Sequence, residues 1–369
     1  MNGAPLGDFY WSLGTSIAMI ITAIISPVLG AIADYSMGKK RFLLFFTVQC
    51  IVFTALLYTV GPGDIFLGLL FFVLANIGFE AGLVFYDAFL PEITAPKNYG
   101  RVSGYGFAMG YIGSLATLLV IYPFVQSGNV KITFLIASAF FLVFAAPIFI
   151  FLKETRRVNP ARESFFHIGF TRVFSTFKHL KNHKNLALFL LAYFFYIEGV
   201  NTIIFFSGNY ASTTLHFNET DLLIFFASVQ TTAIVGSVLL GILADSLGQK
   251  KTIIITLVVW VGTVIFAFYT TTKFNFYIVG FLAGAAMGSC QSTSRSLMSK
   301  LTPPDRKTEF FGFYSFFGKS SAVIGPFVFG LISYKTGNQH FAILSTLFFF
   351  IIGLLILLFV DDPKTRETE

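Results

Sequence analysis

Gly30-Ala31-Ile32-Ala33-Asp34-Tyr35-Ser36-Met37-Gly38-Lys39-Lys40-Arg41 lies between two long apolar runs. About 210 residues later it returns as Gly241-Ile242-Leu243-Ala244-Asp245-Ser246-Leu247-Gly248-Gln249-Lys250-Lys251. Both copies read G-x-x-A-D, then a few residues, then Gly and a cation cluster; the first has one extra residue before its second Gly. An acid at a helix end, a Gly to turn the chain and a group of cations make a tight, charged hairpin between two apolar helices. Such a hairpin belongs at a membrane surface, with its Lys and Arg on the cytoplasmic side. Two copies, each between apolar runs, point to a duplicated transporter half. The repeat extends further. Ile93-Thr94-Ala95-Pro96 matches Leu301-Thr302-Pro303-Pro304, and at the same offset of 208 Gly104 matches Gly312 and Gly110 matches Gly318.

The composition agrees. Of 369 residues, 55% are hydrophobic and only 12% charged, whereas a soluble domain carries about 25% charged residues; a soluble enzyme is excluded. Apolar runs cover residues 10–33, 42–60, 65–90, 104–125 and 132–152, then 186–207, 222–244, 252–270, 274–297, 310–334 and 341–360. Each is near the roughly 20 residues that a bilayer span requires. The expected fold is an all-α membrane protein of two pseudo-symmetric helical bundles with eleven spans, five plus six. The expected parts are a first bundle (1–152), a basic cytoplasmic linker (153–185), a second bundle (186–360) and a cytoplasmic tail (361–369). Aligning the hairpins places the missing twelfth span at the start of the first half, so the sequence reads as lacking an N-terminal helix.

Loop charge sets the orientation. With the first hairpin cytoplasmic, that side carries Lys39, Lys40, Arg41, Lys97, Arg101, the cations of the linker, Lys250, Lys251, Lys300, Arg306, Lys307, Lys364 and Arg366. The outer loops carry Lys131, Lys273 and Lys335. This asymmetry accounts for the net charge of +7 by the positive-inside rule, without a nucleic acid partner. In the linker, Phe165, Phe166, Ile168, Phe170, Val173, Phe174, Phe177 and Leu180 alternate with cations at near-helical spacing, which suits a helix lying in the headgroup region. His179 and His183 are an i, i+4 pair without a third ligand, so no metal site is expected. Cys50 and Cys290 lie inside apolar runs and read as two buried thiols. No G-x-x-x-x-G-K-[ST] loop occurs, so no nucleotide or other cofactor is expected and energy would come from a gradient.

The paired hairpins, in an apparent twelve-span frame with a long central loop, resemble the major facilitator superfamily. Phe85-Tyr86-Asp87-Ala88-Phe89-Leu90-Pro91, Arg101-Val102-Ser103-Gly104, Tyr196-Ile197-Glu198-Gly199-Val200-Asn201-Thr202, Gln291-Ser292-Thr293-Ser294-Arg295-Ser296 and Glu309-Phe310-Phe311-Gly312-Phe313-Tyr314-Ser315 narrow this. Together they look like the vacuole-effluxer-like family, which includes autophagy-associated vacuolar amino-acid effluxers and bacterial relatives. The resemblance runs from about Tyr10 to the end. The family's first span is absent, and its sixth-span acid, commonly Asp, is Glu198 here. The resemblance implies a secondary transporter of a small polar solute, an amino acid or another small zwitterion, moved by alternating access. It would lie in the plasma membrane if bacterial and in the vacuolar membrane if from a fungus-like eukaryote. The rival is a non-transporting membrane receptor or scaffold on the same fold. Expected partners are the solute, the bilayer and a coupled proton or cation; a monomer is expected.

Ionisable groups inside a membrane cost at least about 2.5–3.5 kcal/mol at mid-helix and so face an interior or a cavity. Asn76, Glu80 and Asp87 fall on one face of the third span, as a cavity wall or a packing seam. Asp87, near the cytoplasmic end, either pairs with Arg101 or Arg295 or meets substrate. Glu198, with Asn201 and Thr202 one turn on, is either an ion-pair partner of Lys319 or a proton or substrate site. Gln230, Thr231 and Thr232 lie mid-span in the seventh run, as substrate contacts or helix glue. Gln291 and Arg295 share a face; Arg295 suits a carboxylate or phosphate ligand, or a gate pairing with Asp245 or Asp87. Lys319 needs a partner, Glu198 or Glu80. The cytoplasmic gate is read as Gly30, Asp34, Gly38, Lys39, Lys40, Arg41, Asp87, Arg101, Gly241, Asp245, Gly248 and Arg295. Substrate and coupling candidates are Asn76, Glu80, Glu198, Asn201, Gln230, Gln291 and Lys319. Gly104, Gly106, Gly110 and Gly113 read as packing residues.

The topology is directly testable. Cysteines placed at Asn129 and Lys273 should react with an impermeant label added outside, and cysteines at Lys39, Lys178 and Lys250 should not. Outside labelling at position 178 would overturn the orientation.

Overall fold

The computed structural model describes residues 4–154, 169, 171, 173–174, 183–321 and 324–362; the linker helix and His179 read from the sequence lie outside them. All regular structure among the described residues is helical. The long elements are α1 (Ala4–Ile32), α2 (Lys39–Leu56), α3 (Ile65–Asp87), α4 (Tyr99–Gln126), α5 (Ile132–Phe151) and α6 (Lys184–Thr213). They continue as α7 (Glu219–Leu247), α8 (Gln249–Tyr269), α9 (Lys273–Leu301), α10 (Lys307–Ser321), α11 (Ile324–Thr336) and α12 (Gln339–Leu358). Among the described residues, ten stretches of helix are long and apolar enough to cross a membrane. The sequence gives eleven; the difference is α9. It has the length of a span, but its C-terminal half carries Ser289, Ser292, Thr293, Ser294, Arg295 and Ser296, all buried. Polar residues that face protein rather than lipid lower its apolarity without exposing it.

The described chain forms two compact units. The first contains α1, α2, α3, the part of α4 from Ala116 onward, α5 and α10. Within it α2 packs on α3 and α5, and α1 on α3. A Cβ at Gly78 would meet the backbone of Cys50 and Phe46, so α2 and α3 approach to backbone contact. The second unit contains residues 90–115, α6 to α9, α11 and α12. Its tightest pair is α7 with α9, and the reason is small residues. Gly236 faces Ala285, Gly284 faces Val229 and Gly288 faces Ala233, each against main chain. Without a hydrophobic drive between helices in lipid, such close approach supplies the attraction. Near the far end of this unit Tyr210, Phe217, Phe225 and Phe276 form a buried cluster, with Phe225 stacked on Phe276 at 4.8 Å. Cys50 and Cys290 are buried free thiols.

The two hairpins fold alike. Gly38 and Gly248 have φ of +76° and +97°, a region that an L side chain enters only at a cost. After each Gly the chain latches the end of its own half's last helix. In the first unit the Lys40 N–H donates to Glu154 Oε1 at 3.3 Å, and Lys40 Nζ donates to the Leu152 carbonyl at 2.5 Å. In the second, the Lys250 N–H donates to Asp362 Oδ2 at 3.2 Å, and Lys250 Nζ to the Leu358 carbonyl at 2.7 Å. Cations thus sit on the open carbonyls of a helix C-terminus, where the helix dipole favours them. The extra residue of the first copy is absorbed by a π-helical turn, Ala33–Met37. There the Gly38 N–H reaches back to Ala33, five residues earlier, whereas the Gly248 N–H reaches Ala244, four earlier.

Adding a methyl at either hairpin Gly should therefore cost on the order of 1–3 kcal/mol in backbone strain, and the new Cβ would also crowd Glu154 or Asp362. Gly38→Ala and Gly248→Ala should each lower the Tm of the detergent-solubilised protein. Gly262→Ala, where nothing lies within 4 Å of the added carbon, should leave it unchanged.

Candidate functional site

The acids of the two hairpins each cap another helix. Asp34 accepts from the Glu309 N–H at 2.8 Å and from the side chain and backbone of Thr308, at the first turn of α10. Asp245 accepts from the Gly100 N–H at 2.7 Å and the Arg101 N–H at 3.0 Å, at the first turn of α4. Thr308 and Glu309 stand 208 positions after Gly100 and Arg101, so one arrangement is made twice. The open N–H groups and positive dipole end of a helix are matched to a carboxylate in both places. Glycines allow the approach. A Cβ at Gly30 would strike the backbone of Thr308, and one at Gly312 that of Ser26 and Pro27. In the second unit a Cβ at Gly100 would strike Gly241, and one at Gly104 would strike Ser237. Each crossing joins a helix of the first sequence half to one of the second.

The cations divide between the copies. Lys39 is buried, donates to the Ala88 carbonyl at 2.8 Å and lies 4.7 Å from the centre of the Phe89 ring. Arg41 is exposed. Arg101 closes on Asp245 through Nε at 3.0 Å. Arg101, which the sequence left open to Asp87, is thus seen on Asp245. Asp245 is occupied by the helix end and guanidinium that follow Tyr99. Arg295 instead donates from Nε to Ser103 Oγ at 2.9 Å and from Nη2 to the Ser103 carbonyl at 2.9 Å, with its guanidinium 4.6 Å from the Phe107 ring centre. Asp87 is half-buried at the end of α3.

Interior polar residues fall into two groups. In the first unit Lys319 pairs with Glu80, one of the two acids that the sequence offers it. Asn76, one turn before Glu80, donates to its own helix at the Phe72 carbonyl, 2.9 Å away. In the second unit Glu198 is fully buried and accepts through Oε1 from the Gly325 N–H and the Thr202 hydroxyl; Oε2 has no partner among the described residues. Asn201 is half-buried beside it along α6. Gln291 accepts from Tyr111 at 2.6 Å, and Gln230 donates to Ser114 at 2.9 Å. Tyr196 and Ser294 share a hydrogen bond of 2.7 Å. Tyr111, Ser114, Thr308, Glu154 and Asp362 are not singled out in the sequence, and Ser103 and Tyr196 stand there only within longer stretches. Thr308 could have been found, since the repeat offset pairs it with Gly100 and Asp34 pairs with Asp245. Among the described residues no group of three His, Cys, Asp or Glu could hold a metal ion.

This is the fold of the major facilitator transporters. The human organic anion transporter MFSD10 (TETRAN) superposes with a TM-score of 0.77 at 15% identity, over 94% of this chain and 83% of that one. The proton:xylose symporter XylE superposes with 0.75 at 14% identity, over 96% and 87%. The chain belongs to the vacuole effluxer Atg22-like family, whose model matches residues 10–99 and 96–369. It is 34% identical to the uncharacterized MFS-type transporter YxiO of Bacillus subtilis, over 98% of this chain and 86% of the relative. It is 22% identical to autophagy-related protein 22 of Yarrowia lipolytica, over 95% and 75%. It is thus a multi-pass membrane protein among transporters rather than enzymes.

Removing a capping side chain leaves open N–H groups and costs about 0.5–2 kcal/mol. Asp34→Ala and Asp245→Ala should each lower the Tm by more than the corresponding Asn variants, whose amide oxygen still accepts. Equal behaviour of Ala and Asn at either position would remove the cap from the account.

Proposed function

We propose that this protein is a secondary transporter that moves a small polar solute, an amino acid, by alternating access. The observation that carries the reading is the doubled Asp cap, made between helices of opposite sequence halves. Two carboxylate-to-helix-end contacts, each breakable without leaving covalent or metal bonds behind, are suited to close a cytoplasmic gate in one state and release it in the other. In this reading the bundles 1–152 and 186–360 are the moving parts, tied by the basic linker 153–185 and followed by the tail 361–369. Gly30, Asp34, Gly38, Lys39, Lys40, Arg41, Asp87, Arg101, Gly241, Asp245, Gly248 and Arg295 make the gate. The family supports the amino-acid assignment, and with it efflux from a compartment: across the plasma membrane of a bacterium, or the vacuolar membrane of a fungus-like cell.

Glu198 is the proton-coupling group of the proposal. A carboxylate inside a span is costly when charged, and the described partners of Glu198 are an N–H and a hydroxyl, not a cation. Taking up and giving off a proton relieves that cost as access changes.

Uptake and counterflow in proteoliposomes over the proteinogenic amino acids test the function. Saturable exchange of at least one of them is expected; the absence of flux for every solute would favour the receptor reading. In the same vesicles Glu198→Gln should abolish gradient-driven accumulation and leave counterflow largely intact, while Glu198→Asp retains both. Wild-type accumulation by a well-folded Glu198→Gln protein would take Glu198 out of the coupling step.

A further inference from the structure

We infer that Glu80 and Lys319 are the seat of that solute, whose carboxylate and ammonium enter by exchanging with the ion pair. The inference rests on the transport reading above.

The pair lies deep. Glu80 is fifteen residues into a 29-residue span and Lys319 twelve residues into α10, about 18–22 Å along the respective helix axes at 1.5 Å per residue. The pairs Arg101–Asp245, Lys273–Asp221 and Arg306–Asp305, by contrast, stand at helix ends or in a loop. At those places water shares the work; at Glu80 and Lys319 it is scarce, with side-chain exposures of 10% and 22%. A buried ion pair contributes little to stability relative to apolar residues of the same volume. Its presence in a span is better explained by what the two charges bind. The surroundings are polar on one side. Ser315, one turn before Lys319, lies 3.5 Å from Ser26 on α1. Thr22, one turn from Ser26, is fully buried, and its hydroxyl has no partner among the described residues.

Charge balance fits the proposed solute to the pair. An anion drawn to Lys319 would leave Glu80 uncompensated, and a cation drawn to Glu80 would strand Lys319. A zwitterion gives a counter-charge to both, with its carboxylate to the ammonium of Lys319 and its ammonium to the carboxylate of Glu80. Because the two side chains are in direct contact, the inserted charges must be close neighbours, as on an α-amino acid. Charges held several carbons apart would engage only one partner at a time.

The test uses the full-length protein in detergent and measures binding, not transport. The proteinogenic amino acids are screened for affinity. The best-bound one is then compared with its carboxamide, which lacks the carboxylate, and with its 2-hydroxy acid, which lacks the ammonium. The wild type should bind each analogue at least tenfold more weakly. Lys319→Met should lose the preference for acid over amide while keeping that for amine over hydroxyl, and Glu80→Gln should do the converse. Each single change leaves one buried charge unpaired and can unfold the protein, so Glu80→Gln/Lys319→Met is measured beside them. The neutral pair should fold and bind the amino acid at least tenfold more weakly. A folded double variant with wild-type affinity, or single variants with unchanged discrimination, would assign the pair to holding α3 on α10 and overturn this inference alone. Failure of every amino acid to bind the wild type would overturn the amino-acid reading and this inference with it.

Discussion

The carboxylate set against the open end of a helix is the contact on which the rest depends. Asp34 and Asp245 each satisfy N–H groups that have no partner inside their own helix. The glycines beside them are a condition of the same contact, since a single methyl at Gly30, Gly100, Gly104 or Gly312 would hold the backbones apart. The charged hairpin, the small residues and the cap thus form one unit. It is built twice because both halves must present a helix start to the other half's acid.

Interior charge is placed sparingly. Glu80 and Lys319 neutralise each other, Arg295 is spread over a hydroxyl, a carbonyl and an aromatic face, and Glu198 is held by an N–H and a hydroxyl. Each solution lowers the cost of a polar group among apolar helices, but they differ in what they leave open. An ion pair can be divided by a ligand that carries both charges. A guanidinium already bonded to main chain is a fixture, and a lone carboxylate can trade its charge for a proton.

Much of this was legible in the sequence, for physical reasons that differ by residue. The spans follow from apolar length, and the hairpin glycines from the turn they must make; Gly38 and Gly248 both have positive φ. Asp34 and Asp245 stood out because they recur in register. Their partners did not, because the receiving groups are backbone N–H atoms, which every residue has. Pairings among Arg101, Arg295, Asp87 and Asp245 were ambiguous because charge alone does not fix distance: several cations lie within a few helical turns of each acid. Residue Lys319 illustrates the opposite case, since two acids fitted by depth and only packing on α3 decides for Glu80. Glu154 and Asp362 escaped notice because each looks like an ordinary charged residue just past a membrane helix.

The glycine seam between α7 and α9 has a mechanical consequence. Where Gly236, Gly284 and Gly288 bring main chain against main chain, few side chains stand between to flex, and sliding would open gaps that nothing fills. The two helices therefore behave as one stiff lever. That lever grips α4 at two handholds, through Asp245 on one arm and Arg295 on the other. A load on either grip is therefore borne by both helices.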